Sequence, residues 1–427
     1  MPMDRILQPM IRQDGHYATV TFEEAFRLMT ERLGRFHENE CLVMISGDYS
    51  NEELYLMQRL ARAGLHTNAL GSFDYYRRGT AFFIDKNDIV PFAELFSAGY
   101  FFCIFDDQVQ APSQDFARKV VESSKDTPHY FFNTSETLNI VNYAAFFRSI
   151  NCYLIRHDLA KGIYVNGLGK NYDEYRKHVL EDDYDALLAA NCLKDGDIAS
   201  FATMLLEAQA PVFLVWERLL DARGVIELEN LCMLLDIQAK PASGFLCLKA
   251  EINSQGLHDM GIFPDVCVGG RPMDEKSCQL LRDICRKEVT TAPVDIPARL
   301  AAKDFKGCII FNGTGAPLPV DVLEQVRSCA FSVLHTARWD GVSADFDMLL
   351  PAALPDEVYG TFTDSTRVPH TSVPAANNPL SLDNLQQLSR ISELLGLSPL
   401  EDSSQIFLEY VSFFQGGCRS ELRHFFR

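Results

Sequence analysis

The sequence predicts an α/β protein built on doubly wound, mostly parallel sheets. Two observations carry that class. Short, wholly apolar runs alternate with helical patterns along most of the chain. Such runs suit strands buried on both faces, as in sheets covered by helices above and below. The length, 427 residues, exceeds what one hydrophobic core supports and sets two or three domains.

The elements follow in order. Thr21 to Leu33 is an amphipathic helix that opens on a capping box, with Thr21 as cap and Glu24 three residues on. Cys41 to Ile45 is a buried strand. Ser46-Gly47-Asp48 turns the chain, and Asn51 to Ala63 continues as a helix with Leu54, Met57, Leu60 and Ala61 on one face. The same grammar repeats. Strands are expected at 100–105, 129–133, 211–216, 307–312 and 331–334. Helices are expected at 115–123, from beyond 133 through Ile155, and at 198–208, 225–235 and 320–329. Prolines 351, 355, 369, 374 and 379 mark 350–379 as extended and irregular. Two helices, 382–395 and 404–414, close the pattern.

Composition narrows the function classes. Apolar residues make up 47% and charged residues 23% of the chain, an ordinary globular balance. The net charge of −19 argues against nucleic acid or an anionic membrane as the main partner. No apolar run approaches the ~18 residues of a membrane-spanning helix, and Met1-Pro2-Met3-Asp4-Arg5 lacks the apolar centre of a signal peptide. A cytoplasmic protein without membrane insertion is expected. The twelve cysteines are scattered, with no C-x-x-C, and most sit in apolar runs such as Phe101-Phe102-Cys103-Ile104. They read as buried reduced thiols and offer no close-set ligands for an iron–sulfur cluster.

Three segments have the composition of a ligand site. Asn253-Ser254-Gln255-Gly256-Leu257-His258-Asp259-Met260-Gly261 packs two amides, two glycines and a carboxylate behind the apolar run Phe245 to Leu248. This suits a loop leaving a strand, where glycine lets backbone approach closely. Gly47 and Asn51 stand at the first strand-to-helix turn, where doubly wound sheets bind anions. Asp48, Glu52 and Glu53 oppose a phosphate there, and helix capping is the favoured role for carboxylates in a first turn. Asn312-Gly313-Thr314-Gly315 also follows a strand; it is either a backbone cradle for phosphate or a plain loop. His258 with Asp265 and Cys267 matches no metal template, so a loop or surface histidine is expected.

Taken together and in order, several segments resemble the molybdopterin oxidoreductase superfamily, which holds formate dehydrogenases, nitrate reductases and the G subunit of respiratory complex I. Pro9-Met10-Ile11-Arg12 with Val20-Thr21-Phe22-Glu23-Glu24-Ala25 resembles its P-L-x-R … V-S-W-D-E-A opening. Ser46, Ser50 to Tyr55, Leu60-Ala61-Arg62 and Thr67-Asn68 resemble its first strand-helix unit. Asn253 to Gly261 matches N-x-Q-G-x-x-D-M-G. Asp347 to Pro351, Glu357, Gly360 to Asp364 and Arg367 resemble A-D-V-V-L-P … E-x-x-G-T-F-x-N … R, and Leu388 to Gly396 resembles the helix that follows. The resemblance runs from about residue 9 to 396. It implies two interleaved α/β lobes of the formate dehydrogenase domain 2–3 kind: 1–75 with 253–355, then 76–252, with 356–427 as an extended segment and terminal helices. It places the Asn253 loop in the cleft between lobes, with Asp259 hydrogen-bonded.

The departures from the family's pattern bear on function. The family opens with an iron–sulfur domain, and the match begins just after it; a C-terminal cofactor-capping domain is also missing from the match. Where its enzymes carry a thiolate or selenolate ligand, this chain reads Arg78-Gly79-Thr80-Ala81-Phe82. Where G-x-N-P meets the cofactor, it reads Phe105-Asp106-Asp107-Gln108, a ring and two carboxylates beside a diphosphate. Lys249 stands for the arginine of formate dehydrogenases and cannot make a bidentate fork. The resemblance therefore implies a degenerate, structural subunit of an electron-transfer complex of the NADH dehydrogenase G-subunit or formate dehydrogenase type. The candidate cofactor-binding residues are vestigial: Ser46, Gly47, Asn51, Asn253, Gln255, Gly256, Asp259, Asn312 and Gly313. No catalytic residue or metal ligand is assigned. Two alternatives remain: an active subunit binding molybdopterin guanine dinucleotide with a partner chain's help, and a free-standing nucleotide-binding or regulatory protein.

Overall fold

The computed structural model describes residues 5–83, 89–237, 240–400, 402–414 and 423–425. Packing divides the chain into two compact units. The first comprises Met1–Arg77, Glu251–Asp364 and Val368–Gly417; the second comprises Arg78–Ala250, Ser365–Arg367 and Cys418–Arg427.

The first unit is built on a seven-stranded sheet. Its order is His16–Thr19, Met10–Gln13, Met348–Pro351, Phe331–Thr336, Gly307–Phe311, Cys41–Ile45 and Leu70–Ser72. The last five are mutually parallel. The first two form an antiparallel hairpin whose inner strand also runs antiparallel to Met348–Pro351. Cys41–Ile45 and Gly307–Phe311 are buried at every position, which is why both read as unbroken apolar runs. On one face Leu42, Met44, Ile310, Leu334 and Leu349 pack with Ile296, Leu300, Val322 and Val326. Each such side chain adds roughly 1.5–3 kcal/mol by leaving water. The helix Phe22–Leu33 carries the expected Thr21–Glu24 capping box and buries Phe22, Ala25, Phe26, Met29 and Leu33.

The second unit holds a four-stranded, all-parallel sheet in the order His129–Phe131, Tyr100–Ile104, Pro211–Trp216, Gly244–Leu248. Its core is aromatic. Phe102 stacks on Tyr100 and Phe213 at 4.7 and 4.8 Å, and Phe132, Phe146 and Phe201 meet edge-on or tilted around it. Helices Pro112–Ser123, Tyr143–Arg156, Asp195–Glu207 and Ala222–Leu234 accompany the sheet.

The structure departs from the sequence reading at several points. The helix after the first strand is α-helical only over Asn51–Arg59 and ends in a π-helical turn, Leu60–Gly64. Residues 350–379 are not wholly irregular: Met348–Pro351 completes the sheet, and Gly360–Thr363 pairs with Pro369–Ser372 in a hairpin. The segment set apart from residue 356 belongs to the first unit as far as residue 417, save Ser365–Arg367. Its helix Asn384–Leu394 is fixed by Asn384, which donates to Glu53 Oε1 at 2.7 Å and to the carbonyl of Ala353 at 3.1 Å. Asn253 to Gly261 is no open loop, because Ser254–Asp259 is a short helix. Nine cysteines are buried, Cys192 is exposed and Cys329 is half-buried; Cys418 lies outside the described residues. No described helix is long and apolar enough to cross a membrane.

Candidate functional site

At the carboxyl end of Cys41–Ile45, the chain passes through Ser46, Gly47, Asp48 and Tyr49 into the helix that starts at Asn51. Ser50 caps that helix in a capping box with Glu53, so the favoured capping role holds for Glu53. Burial pushes the Glu53 carboxyl up to about 7 against the hydrogen bonds from Ser50 and Asn384. Glu52 is taken by the amide and hydroxyl of Thr361, at 2.9 and 2.8 Å.

Five of the candidate residues meet here. Ser46 donates its amide to the carbonyl of Phe311 at 2.9 Å and its hydroxyl to Asp48 at 3.1 Å. The amide of Asn253 donates to the carbonyl of Gly47 at 2.8 Å. Asn253 Nδ2 donates to the Tyr49 carbonyl at 2.7 Å and to Asn51 Oδ1 at 3.1 Å, while its Oδ1 accepts from the amide of Thr363 at 2.8 Å. Asn51 Nδ2 donates to the hydroxyls of Thr361 and Thr363 at 3.1 and 3.0 Å. Gly256 sits against this knot. A Cβ there would lie 2.2 Å from Asn253 Oδ1 and 2.3 Å from Asn51 Oδ1. Gly256→Ala must therefore break at least one of these bonds, and a loss of roughly 2–3 kcal/mol is expected. A urea midpoint equal to that of the parent chain would contradict the packing.

The remaining candidates are near but turned to local tasks. Gln255 Nε2 donates to Asp259 Oδ1 at 3.0 Å, one helical turn on, and the carbonyl of Asp259 accepts from Gly269 at 2.7 Å. Asp259 is buried, as its expected hydrogen bonding requires. His258 is buried too, against the expectation of a surface histidine, with Nδ1 3.4 Å from Asp259 Oδ1. Asn312 is spent on its own turn: Oδ1 accepts from the Ala316 amide at 2.9 Å and Nδ2 donates to the Ala316 carbonyl at 2.8 Å. Gly313 gives its carbonyl to Ala337 at 3.0 Å and faces the Tyr49 ring. Among the described residues no group of His, Cys, Asp or Glu is arranged to hold a metal.

Sequence reasoning missed Tyr49, His335 and Glu251. Tyr49 Oη lies 2.8 Å from His335 Nδ1, and both side chains are buried. Burial pushes the His335 imidazole down to about 3, and the neighbouring Gln387 side chain offsets this only in part. An unfolded histidine takes up its proton near pH 6.5, so the unfolded chain binds more protons between there and about pH 3. The stability that neutral His335 contributes is thus complete above about pH 6.5 and is lost as pH falls through that window. His335→Gln should flatten the acid side of the urea-midpoint profile between about pH 6 and 4; a parallel profile would exclude this assignment.

The same geometry tests whether a phosphate-bearing cofactor fits. Gly47 lacks a side chain, but the space is filled: a Cβ there would lie 2.6 Å from Glu251 Oε2 and 2.8 Å from Glu251 Cβ. Asp48 Oδ2 accepts from Ser46 and Thr314 hydroxyls. The amides of Asn51, Asn253 and Asn312 are spent internally. Gln255 Oε1 is buried without a donor, and an anion supplies none. A diphosphate brought to Gly47 would meet two carboxylates and no free donor from these amides. These residues do not fit the group.

In the second unit, the sheet's carboxyl ends are closed in a comparable way. Lys249 Nζ lies 3.2 Å from Glu217 Oε2, donates to the Phe82 carbonyl at 2.5 Å and sits 4.2 Å from the Phe83 ring centre. Glu217 Oε1 accepts from the amide of Ala250 at 2.8 Å. Arg78 covers the Phe82 ring at 4.0 Å and donates to the Glu217 carbonyl. After Tyr100–Ile104, Arg118 covers Phe105 at 4.8 Å and pairs with Asp107 at 2.5 Å, while Gln114 Oε1 accepts from the Asp106 amide at 2.7 Å.

Fold and strand-end sites define a doubly wound α/β protein of the kind that carries its ligand residues beyond the parallel strands. A family model described as molybdopterin oxidoreductase matches residues 5–90. The alpha subunit of F420-dependent formate dehydrogenase 2 from Methanococcus maripaludis is 22% identical over 444 residues, covering 95% of this chain and 65% of that protein. Putative formate dehydrogenases of Staphylococcus aureus are 21% identical over 62% of this chain and 30% of their own length. The chain thus spans less than two thirds of these relatives. Acetylene hydratase from Pelobacter acetylenicus shares the fold with a TM-score of 0.66 at 12% identity, over 92% of this chain and 62% of that one. A chain of the formyltransferase/hydrolase complex (FhcABCD) from Methylorubrum extorquens, solved in complex with methylofuran, has a TM-score of 0.52 at 10% identity, over 91% of this chain and 98% of that one. Residues 5–90 match the molybdopterin oxidoreductase family model, and most of the chain is similar in sequence to a formate dehydrogenase subunit.

Proposed function

We propose that this chain is a structural subunit of a cytoplasmic multi-subunit complex that keeps the superfamily's frame without its pterin. The closure of the Gly47 turn by Glu251 carries this reading, and the spent asparagine amides and the Lys249–Glu217 pair support it. The M. maripaludis relative is by its name a subunit, which favours an oxidoreductase complex. A second reading, a subunit of a formyl-transfer complex, is favoured by the correspondence with nearly the whole length of a chain from such an assembly.

Elemental analysis of the purified chain tests the common part of both readings. No stoichiometric molybdenum, tungsten or iron is expected, no pterin fluorescence after oxidation, and no formate oxidation by the chain alone. Near one molybdenum or tungsten per chain, with pterin, would instead establish an enzyme that binds molybdopterin guanine dinucleotide. Identifying the subunits that copurify stoichiometrically separates the oxidoreductase assembly from the formyl-transfer one. A monomer with no stoichiometric partner would favour a free-standing protein.

A further inference from the structure

The first unit holds a thiol pair that plays no part in the strand-end site. Cys308 lies in the strand Gly307–Phe311 and is wholly buried. Cys329 ends the helix Val320–Ser328 and is half-buried. The backbone brings them together, since the amide of Ala330 donates to the carbonyl of Lys306 at 2.7 Å and sets the residues around Cys329 beside the start of the Cys308 strand. Cys329 packs against the apolar cluster that contains Cys308. Around Cys329 Sγ, Gln325 Nε2 stands 3.5 Å away as a donor and the Phe305 carbonyl 3.6 Å away as an acceptor.

We propose that Cys329 and Cys308 form a modification site that takes low-molecular-weight disulfides, with Cys329 the attacking thiol and Cys308 the resolving one. The order follows from the surroundings. Cys329 is the more exposed of the two. Its ionisation is favoured by its thiol neighbour and by the Gln325 amide that donates to it, against burial, whereas Cys308 is held protonated beside it in the core. The Cys329 thiolate, its proton lost to solvent, attacks one sulfur of the small disulfide. A mixed disulfide forms and a small thiolate leaves. Cys308 then gives its proton to a small thiolate and attacks the Cys329 sulfur, forming the Cys308–Cys329 bond and expelling the second small thiolate, which takes a proton from solvent. Two protein thiols are oxidised and one small disulfide is reduced to two thiols.

The test uses the full chain carrying Cys192→Ser and Cys418→Ser, incubated native with oxidised glutathione, alkylated, and read by peptide mass spectrometry. A peptide linked through Cys308 and Cys329 is expected, lighter by two hydrogens than its separate parts. Cys308→Ala should instead accumulate glutathione on Cys329, and Cys329→Ser should leave Cys308 alkylatable only after unfolding. A glutathione adduct that persists on Cys329 with Cys308 present would overturn the resolving step. No adduct on Cys329 in the native Cys308→Ala chain, when the unfolded chain does react, would overturn the site.

Discussion

Lys249→Met is expected to destabilise the second unit by about 3–5 kcal/mol, the usual consequence of leaving one charge of a buried pair behind. Lys249 and Glu217 side chains are 5% and 0% exposed, 3.2 Å apart. Removing the ammonium strands the Glu217 carboxylate and frees the Phe82 carbonyl, although the Ala250 amide still reaches Glu217. Adding Glu217→Gln removes the stranded charge and keeps an acceptor for that amide, so the double variant should recover much of the loss. Amide hydrogen exchange across 211–250 reads the effect where it arises. A single variant within about 1 kcal/mol of the parent, the range of a surface pair, would show that water reaches the pair.

Arg62→Ala should be of similar size in the first unit. The guanidinium is fully buried, and burial lowers its pKa to about 10, so it stays charged at neutral pH. It donates to Asn68 Oδ1 at 2.9 Å, Gln58 Oε1 at 3.2 Å, and the carbonyls of Phe263 and Val266 at 2.8 and 3.0 Å. Truncation leaves four buried acceptors, each worth about 1–3 kcal/mol when unsatisfied, and a total near 4 kcal/mol is expected after relaxation. Arg62→Lys cannot reproduce the planar fork and should rescue only part of this. Exchange protection at 262–268 should fall before that of the Cys41 strand. Uniform loss across the unit would instead mean that Arg62 supports the core as a whole.

The parallel strands were legible in the sequence because burial on both faces leaves no polar position in Cys41–Ile45 or Pro211–Trp216. The hairpin Met10–Thr19 was not: its strands have four residues each, are half-exposed, and take their place from pairing with Met348–Pro351. The helix Glu275–Cys285 was overlooked although Asp274 caps it and Cys278, Leu281 and Cys285 line one face; its signal was present. Ser254–Asp259 was read as a loop because its polar, glycine-bearing sequence favours one; tertiary bonds such as Asn253 to Gly47 fix its start. At the site, composition picked out Asn51, Asn253 and Gly256. It gave no sign of where their amides point. The contacts that decide this join Tyr49 to His335 and Glu251 to Gly47 across two hundred residues or more, and no local pattern encodes them.

The interleaving of the first sheet sets a timetable for biosynthesis. The Cys41 strand pairs with Gly307–Phe311, some 260 residues later; at roughly 5–20 residues per second its partner follows about 13–50 s behind. Until then the nascent strand has only Leu70–Ser72 beside it. The four strands of the second sheet lie within 100–248, so they can close while the first unit still waits for its other half. An early apolar edge left open that long is what ribosome-associated chaperones shield.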